Sequence, residues 1–100
     1  MKKVKITVKK MVSHDDLIQE YENPIEHACM MHLEDTFISE DALMPKGFCE
    51  SAWMNIAPFV LALASGAEDI YDGWMKNKRS AMISCNDGFR PVSFYLETVD

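Results

Sequence analysis

The sequence predicts an α+β domain with its elements in the order β-α-β-α-β-β, a mainly antiparallel sheet covered by a helix. Three observations predict it. Val4, Ile6 and Val8 alternate with polar residues at period two, as one face of a strand does. Ala52, Trp53, Ile56, Phe59, Val60 and Leu63 recur at spacings of three and four, the stripe of a buried helix. Near the C-terminal end, two alternating stretches flank the turn-forming triplet Asn86-Asp87-Gly88, as in a hairpin. With 100 residues, 48% of them apolar, the chain can bury one core but not two, so a single domain over residues 1–100 is expected.

The first strand should span residues 2–10, with Val4, Ile6 and Val8 inward and Lys3, Lys5, Thr7 and Lys9 outward. Ser13 precedes Asp16 by three residues and is placed to cap a helix over residues 14–22, with Leu17, Ile18 and Tyr21 as its apolar stripe. Asn23-Pro24 ends that helix, because the residue before proline is pushed out of helical geometry. Residues 33–39 read as a short strand with Phe37 inward, and residues 40–47, with Pro45 and Gly47, read as a loop.

Between residues 49 and 65 the helical stripe meets Pro58. Either one helix kinks there, or a short turn at 49–54 precedes a new helix capped by Asn55, with Pro58 in its first turn; the second is preferred. Gly66 supplies the stop. Residues 67–79 read as a connection from which Trp74 folds back onto the core. Ala81, Ile83 and Cys85 should share one face of the third strand, and Val92, Phe94 and Leu96 one face of the fourth.

Charge narrows the class. Residues 1–10 carry five lysines and no acid, while the rest of the chain carries five basic residues and all sixteen acidic ones, for a net charge of −6. A net-acidic chain is a poor match for phosphate backbones, and lysines alternating along a strand are what a solvent face asks for, so no nucleic-acid partner is expected. No stretch approaches the ~20 apolar residues of a membrane span, and the opening lacks a signal peptide's apolar run. We therefore expect a cytoplasmic protein with no membrane partner. Three widely separated cysteines are not a secreted disulfide framework and should remain thiols there.

Two motifs concentrate the chemistry. Gly47-Phe48-Cys49 puts a thiol at the mouth of the core helix, and Cys85-Asn86-Asp87-Gly88-Phe89-Arg90 puts a thiol, a carboxylate and a guanidinium around a turn. If both lie at one end of the sheet, Cys49, Cys85, Asp87 and Arg90 share a cleft with Trp53 as its apolar wall, and these five residues form the candidate ligand site. Each also has a structural explanation: Asp87 and Gly88 suit a tight turn, Arg90 can pair with any of many acids, and free cysteine packs as a small hydrophobe. A metal reading would combine Cys29, His32, Cys49 and Cys85, with His27 nearby. Three Cys and one His form a zinc set, but no Cys-x-x-Cys knuckle is present, and a strand over 27–32 would aim His27 and Cys29 away from His32; no metal site is expected. Cys49 as a nucleophile would need a histidine partner, and no cysteine-hydrolase signature surrounds His14, His27 or His32. The chain has no Walker loop, dinucleotide glycine pattern or zinc-protease helix motif, and no cofactor is indicated.

Gly47-Phe48-Cys49, Ala52-Trp53, the 61–66 stretch and Cys85-x-Asp87-Gly88-x-Arg90-Pro91-Val92-x-Phe94 together resemble the signature of a family of short, uncharacterised bacterial and archaeal proteins of about this length. The opening strand and a cysteine near position 29 are similar too, although the chain departs from the family's Cys-Pro pattern at Cys29-Met30. The resemblance implies one domain and draws attention to Cys49, Trp53, Cys85, Asp87 and Arg90; it implies no activity. The expectation is a small soluble binding or accessory module, self-associating and without catalysis, with an unidentified small ligand or protein partner. The alternative is a small thiol- or metal-dependent enzyme or redox protein using Cys49 and Cys85.

Overall fold

Alternating strands become a sheet whose two faces differ in kind. In the computed structural model, which describes residues 1–99, β1 (Lys3–Met11), β2 (Thr36–Ser39), β3 (Ser80–Ser84) and β4 (Val92–Val99) form one antiparallel sheet in the order β2-β1-β4-β3. α1 (Asp15–Tyr21) lies between β1 and β2 in the chain, and α2 (Glu50–Ala64) between β2 and β3. This is the predicted β-α-β-α-β-β order of an α+β domain.

The inward phase of β1 is the expected one. Val4, Ile6 and Val8 are fully buried, Lys3 and Lys9 are exposed and Lys5 is half-buried, but Thr7, expected on the solvent face, is buried. Ile6 stands opposite Phe37 on one side and Leu96 on the other, while Phe94 lies between Val8 and Ile83. With Ala81 and Val92 these make a continuous apolar face, each large side chain contributing about 1.5–3 kcal/mol by burial. A bulge between Val8 and Lys10 leaves Lys9 unpaired with β4, and its ammonium reaches Glu34 at 3.0 Å.

α2 covers that face, and it is one helix, not the two segments preferred from the sequence. Ala52 and Ile56 before the proline, and Val60 and Leu63 after it, are all buried on the same side. Pro58 itself is exposed, and so is Met54, whose carbonyl loses its helical donor to the proline. Keeping the stripe on the sheet outweighs the ~3 kcal/mol that an interior proline costs. Asn55 caps nothing; its amide donates to the Ser84 carbonyl at 3.3 Å. The helix ends as expected at Gly66 (φ 92°), where the Gly66 and Ala67 amides donate back to Leu63 and Ala62.

Elsewhere apolar side chains and local signals mislead. α1 is shorter than expected and buries no residue; Ser13 donates to Asp15 at 2.7 Å without capping the helix, and His14 occupies the N-cap position. Residues 27–32 form no strand, and the short strand expected over 33–39 is reduced to β2. Trp74 does not fold back onto the core. It is 84% exposed and touches Tyr71 at 5.9 Å between ring centroids, while Tyr71 packs against Phe59 and the core. Tyr71 also donates its hydroxyl to the Met82 carbonyl at 3.3 Å, so Tyr71 and Asn55 together occupy two carbonyls of β3, the outer strand on that side.

Candidate functional site

A cleft of about 510 Å³ opens where three segments meet: the N-terminus of α2, the chain from the end of β3 into the β3–β4 loop, and residues 27–30. Cys49, Cys85, Asp87 and Arg90, four of the five predicted site residues, line it. Trp53 does not. It is half-buried and stands edge-on to Phe48 at 6.0 Å, part of an aromatic cluster in which Phe48 also meets Phe37 at 5.0 Å and Phe94 at 5.3 Å. The stripe position that suggested a wall instead anchors the start of α2 to the sheet.

Each lining residue is placed by local structure. Cys49 occupies the N-cap position of α2 with extended backbone (φ −69°, ψ 117°), and its side chain makes no capping hydrogen bond. Cys85 continues the β3–β4 ladder one step past the strand: its amide donates to the Val92 carbonyl at 2.9 Å, and its sulfur accepts from the Val92 amide at 3.3 Å. Asp87 turns the loop. Its Oδ1 accepts from the amides of Phe89 (2.8 Å) and Arg90 (3.1 Å), which holds the backbone without any metal or ligand. Ser51 in the first turn of α2 donates to Asn86 at 2.9 Å and ties the helix to that loop.

Arg90 is engaged by Glu22. The guanidinium forks onto both carboxylate oxygens at 3.0 and 2.8 Å, with side chains only 25% and 14% exposed. These hydrogen bonds are the main reason its pKa lies above the ordinary arginine value; partial burial opposes the rise, and the charges of Glu22, Asp87 and Asp15 reinforce it. No spacing rule could have found Glu22, which stands on the far side of the sequence just beyond α1.

The third thiol arrives from a segment the two motifs did not include. Cys29, Met30, His27 and Ala28 form one wall of the cleft, and the segment is pinned by Met31, which is buried in the core, and by the Met31 amide donating to the Cys29 sulfur at 3.4 Å. His32 does not join them. It is exposed, and its amide and imidazole both turn to Asp35 at 2.9 and 3.6 Å. The set Cys29, His32, Cys49 and Cys85 is therefore not assembled, and among the described residues no three His, Cys, Asp or Glu side chains are grouped to hold an ion. A smaller groove of about 240 Å³ runs beside β2, lined by Ile38, Leu43 and Met44 with Glu40 and Lys46.

No family model, curated protein or solved structure matches this chain. The resemblance noted above rests on its motif residues alone. Among the described residues no helix is long and apolar enough to cross a membrane.

Proposed function

We propose that the protein is a small non-catalytic binding module whose ligand occupies the cleft between α2, the β3–β4 loop and residues 27–30. The supporting observation is that cleft itself: at about 510 Å³ it falls in the size range of small-molecule sites, and three chain segments build its walls. Its polar groups are held in fixed positions by Ser51–Asn86, Arg90–Glu22 and the Asp87 turn, an arrangement suited to presenting a shaped surface. The test is a thermal-shift screen of small compounds on wild type and Ala28→Trp, whose bulk is added at an exposed wall position. Compounds that stabilise wild type and not the variant support the reading. Equal stabilisation of both proteins moves the site elsewhere.

The convergence of three thiols favours a second reading, thiol chemistry at Cys49. Competitive alkylation separates the two. A binding module should react fastest at exposed Cys29, with half-buried Cys49 and Cys85 trailing. Native Cys49 reacting faster than a free thiol would favour the enzyme.

Self-association, in this reading, runs through the outer edge of β2. That strand is bordered by exposed Ile38, Leu43 and Met44, and Tyr71 and Asn55, the side chains that reach the outer carbonyls of β3, lie at the other edge of the sheet. Ile38→Lys, which sets like charges against each other across a two-fold, should halve the native mass if the wild type is a dimer built on this edge.

A further inference from the structure

The side chains around the cleft that form hydrogen bonds or ion pairs readily are already committed. Asp87 holds two backbone amides, Arg90 is forked onto Glu22, and Ser51 and Asn86 hold each other. The walls also carry sulfur: the thiols of Cys29, Cys49 and Cys85, which are all the cysteines in the chain, and the Met30 thioether, with the His27 imidazole beside them. The Cys29 and Cys85 sulfurs each accept one backbone amide, of Met31 and Val92, a contact that a metal-bound thiolate can keep. Sulfur and imidazole are soft and borderline donors, and thiolate and thioether together select soft monovalent cations over oxygen-seeking ones.

We propose that the ligand of the cleft is a soft, thiophilic monovalent ion of the class of cuprous copper, held between Cys49 and Cys85. The proposal rests on the reading of this cleft as the binding site and names what it binds. Cys49 and Cys85 are the primary pair because both are half-buried against the core at fixed ends of α2 and β3. Cys29 is exposed, on a segment without regular structure, and closes over the ion as a secondary donor. No three candidate ligands are grouped beforehand, so there is no preassembled tetrahedral zinc shell; a two-coordinate soft ion needs only two sulfurs. Binding displaces one proton from each of the two thiols and leaves a bis-thiolate complex with no change of oxidation state.

The test is anaerobic titration of the reduced protein with cuprous ion against a chromophoric chelator, read with native mass. One ion per chain is expected. Cys49→Ser and Cys85→Ser should each weaken binding by about tenfold or more, and Cys29→Ser by less. His32→Ala should leave it unchanged. In unmutated protein, one equivalent of copper should slow alkylation of Cys49 and Cys85 together, a readout independent of how any variant folds. Protection confined to Cys29, one ion bound per separate thiol, or competition no better than that of the triple Cys→Ser variant would overturn the assignment. The triple variant also separates this proposal from the reading beneath it: a neutral compound that still stabilises that variant, and loses its effect in Ala28→Trp, keeps the cleft as a binding site while removing the soft ion.

Discussion

Arg90 grips Glu22 through two parallel hydrogen bonds, and this pair fastens the α1 side of the molecule to the β3–β4 loop. α1 buries nothing of its own; besides this fork, it is tethered through its approach by the Val12 amide on the Pro91 carbonyl and the His14 amide on Phe89. Glu22→Ala should therefore speed hydrogen exchange over residues 15–21 and leave β1 and β4 protected. Unchanged exchange in α1 would mean that the backbone contacts alone hold it.

The buried stripe of α2 makes a quantitative contrast available on one helix. Leu63 is fully buried and Leu61, two residues away, is half exposed. Leu63→Ala should cost about 2–5 kcal/mol in urea unfolding. Leu61→Ala should stay within about 0.5 kcal/mol of wild type. Similar midpoints for the two variants would remove Leu63 from the core.

The two tryptophans should be spectroscopically distinct. Trp53 is half-buried beside Phe48, whereas Trp74 is almost wholly in water. Iodide should quench a red-shifted component that Trp74→Phe abolishes, leaving a blue-shifted, protected emission from Trp53.

Tyr71 gives a pH dependence of known sign. Burial raises its pKa above 10.0, so as pH climbs past that value the unfolded chain releases the proton first. The folded state then holds more protons, and stability falls with rising pH from about 10 up to the folded-state value; below about pH 10 this contribution is fully present. Tyr71→Phe loses the bond to Met82 at every pH but should show a shallower decline in urea midpoint between about pH 9 and 11.

The sequence made the fold legible where the signal was local and periodic. Val4, Ile6 and Val8 needed only their own spacing, and Gly66 needed only its freedom at positive φ. Pro58 was misread because a rule about one turn was weighed without the sheet beneath it, against which four stripe residues pack on both sides of the proline. Trp74 was misread because hydrophobicity fixes the gain from burial but not whether the chain can bring the ring inward. For the site, the two motifs indicated Cys49, Cys85, Asp87 and Arg90, since residues at the ends of neighbouring elements converge at one end of a sheet. Glu22 and the approach of Cys29 depend on how a long irregular connection lies across the surface, and no spacing in the chain encodes that.

The side-chain cover on β3 has a consequence for assembly. A sheet with two bare margins can add copies without end, as fibrils do. Here Tyr71 and Asn55 engage two carbonyls of one margin, those of Met82 and Ser84, so a strand added at β3 has to displace both side chains, whereas one added at β2 does not. If copies join at β2, strand addition should stop at two chains, and a variant that uncovers β3, such as Tyr71→Phe with Asn55→Ala, should form larger species in native mass.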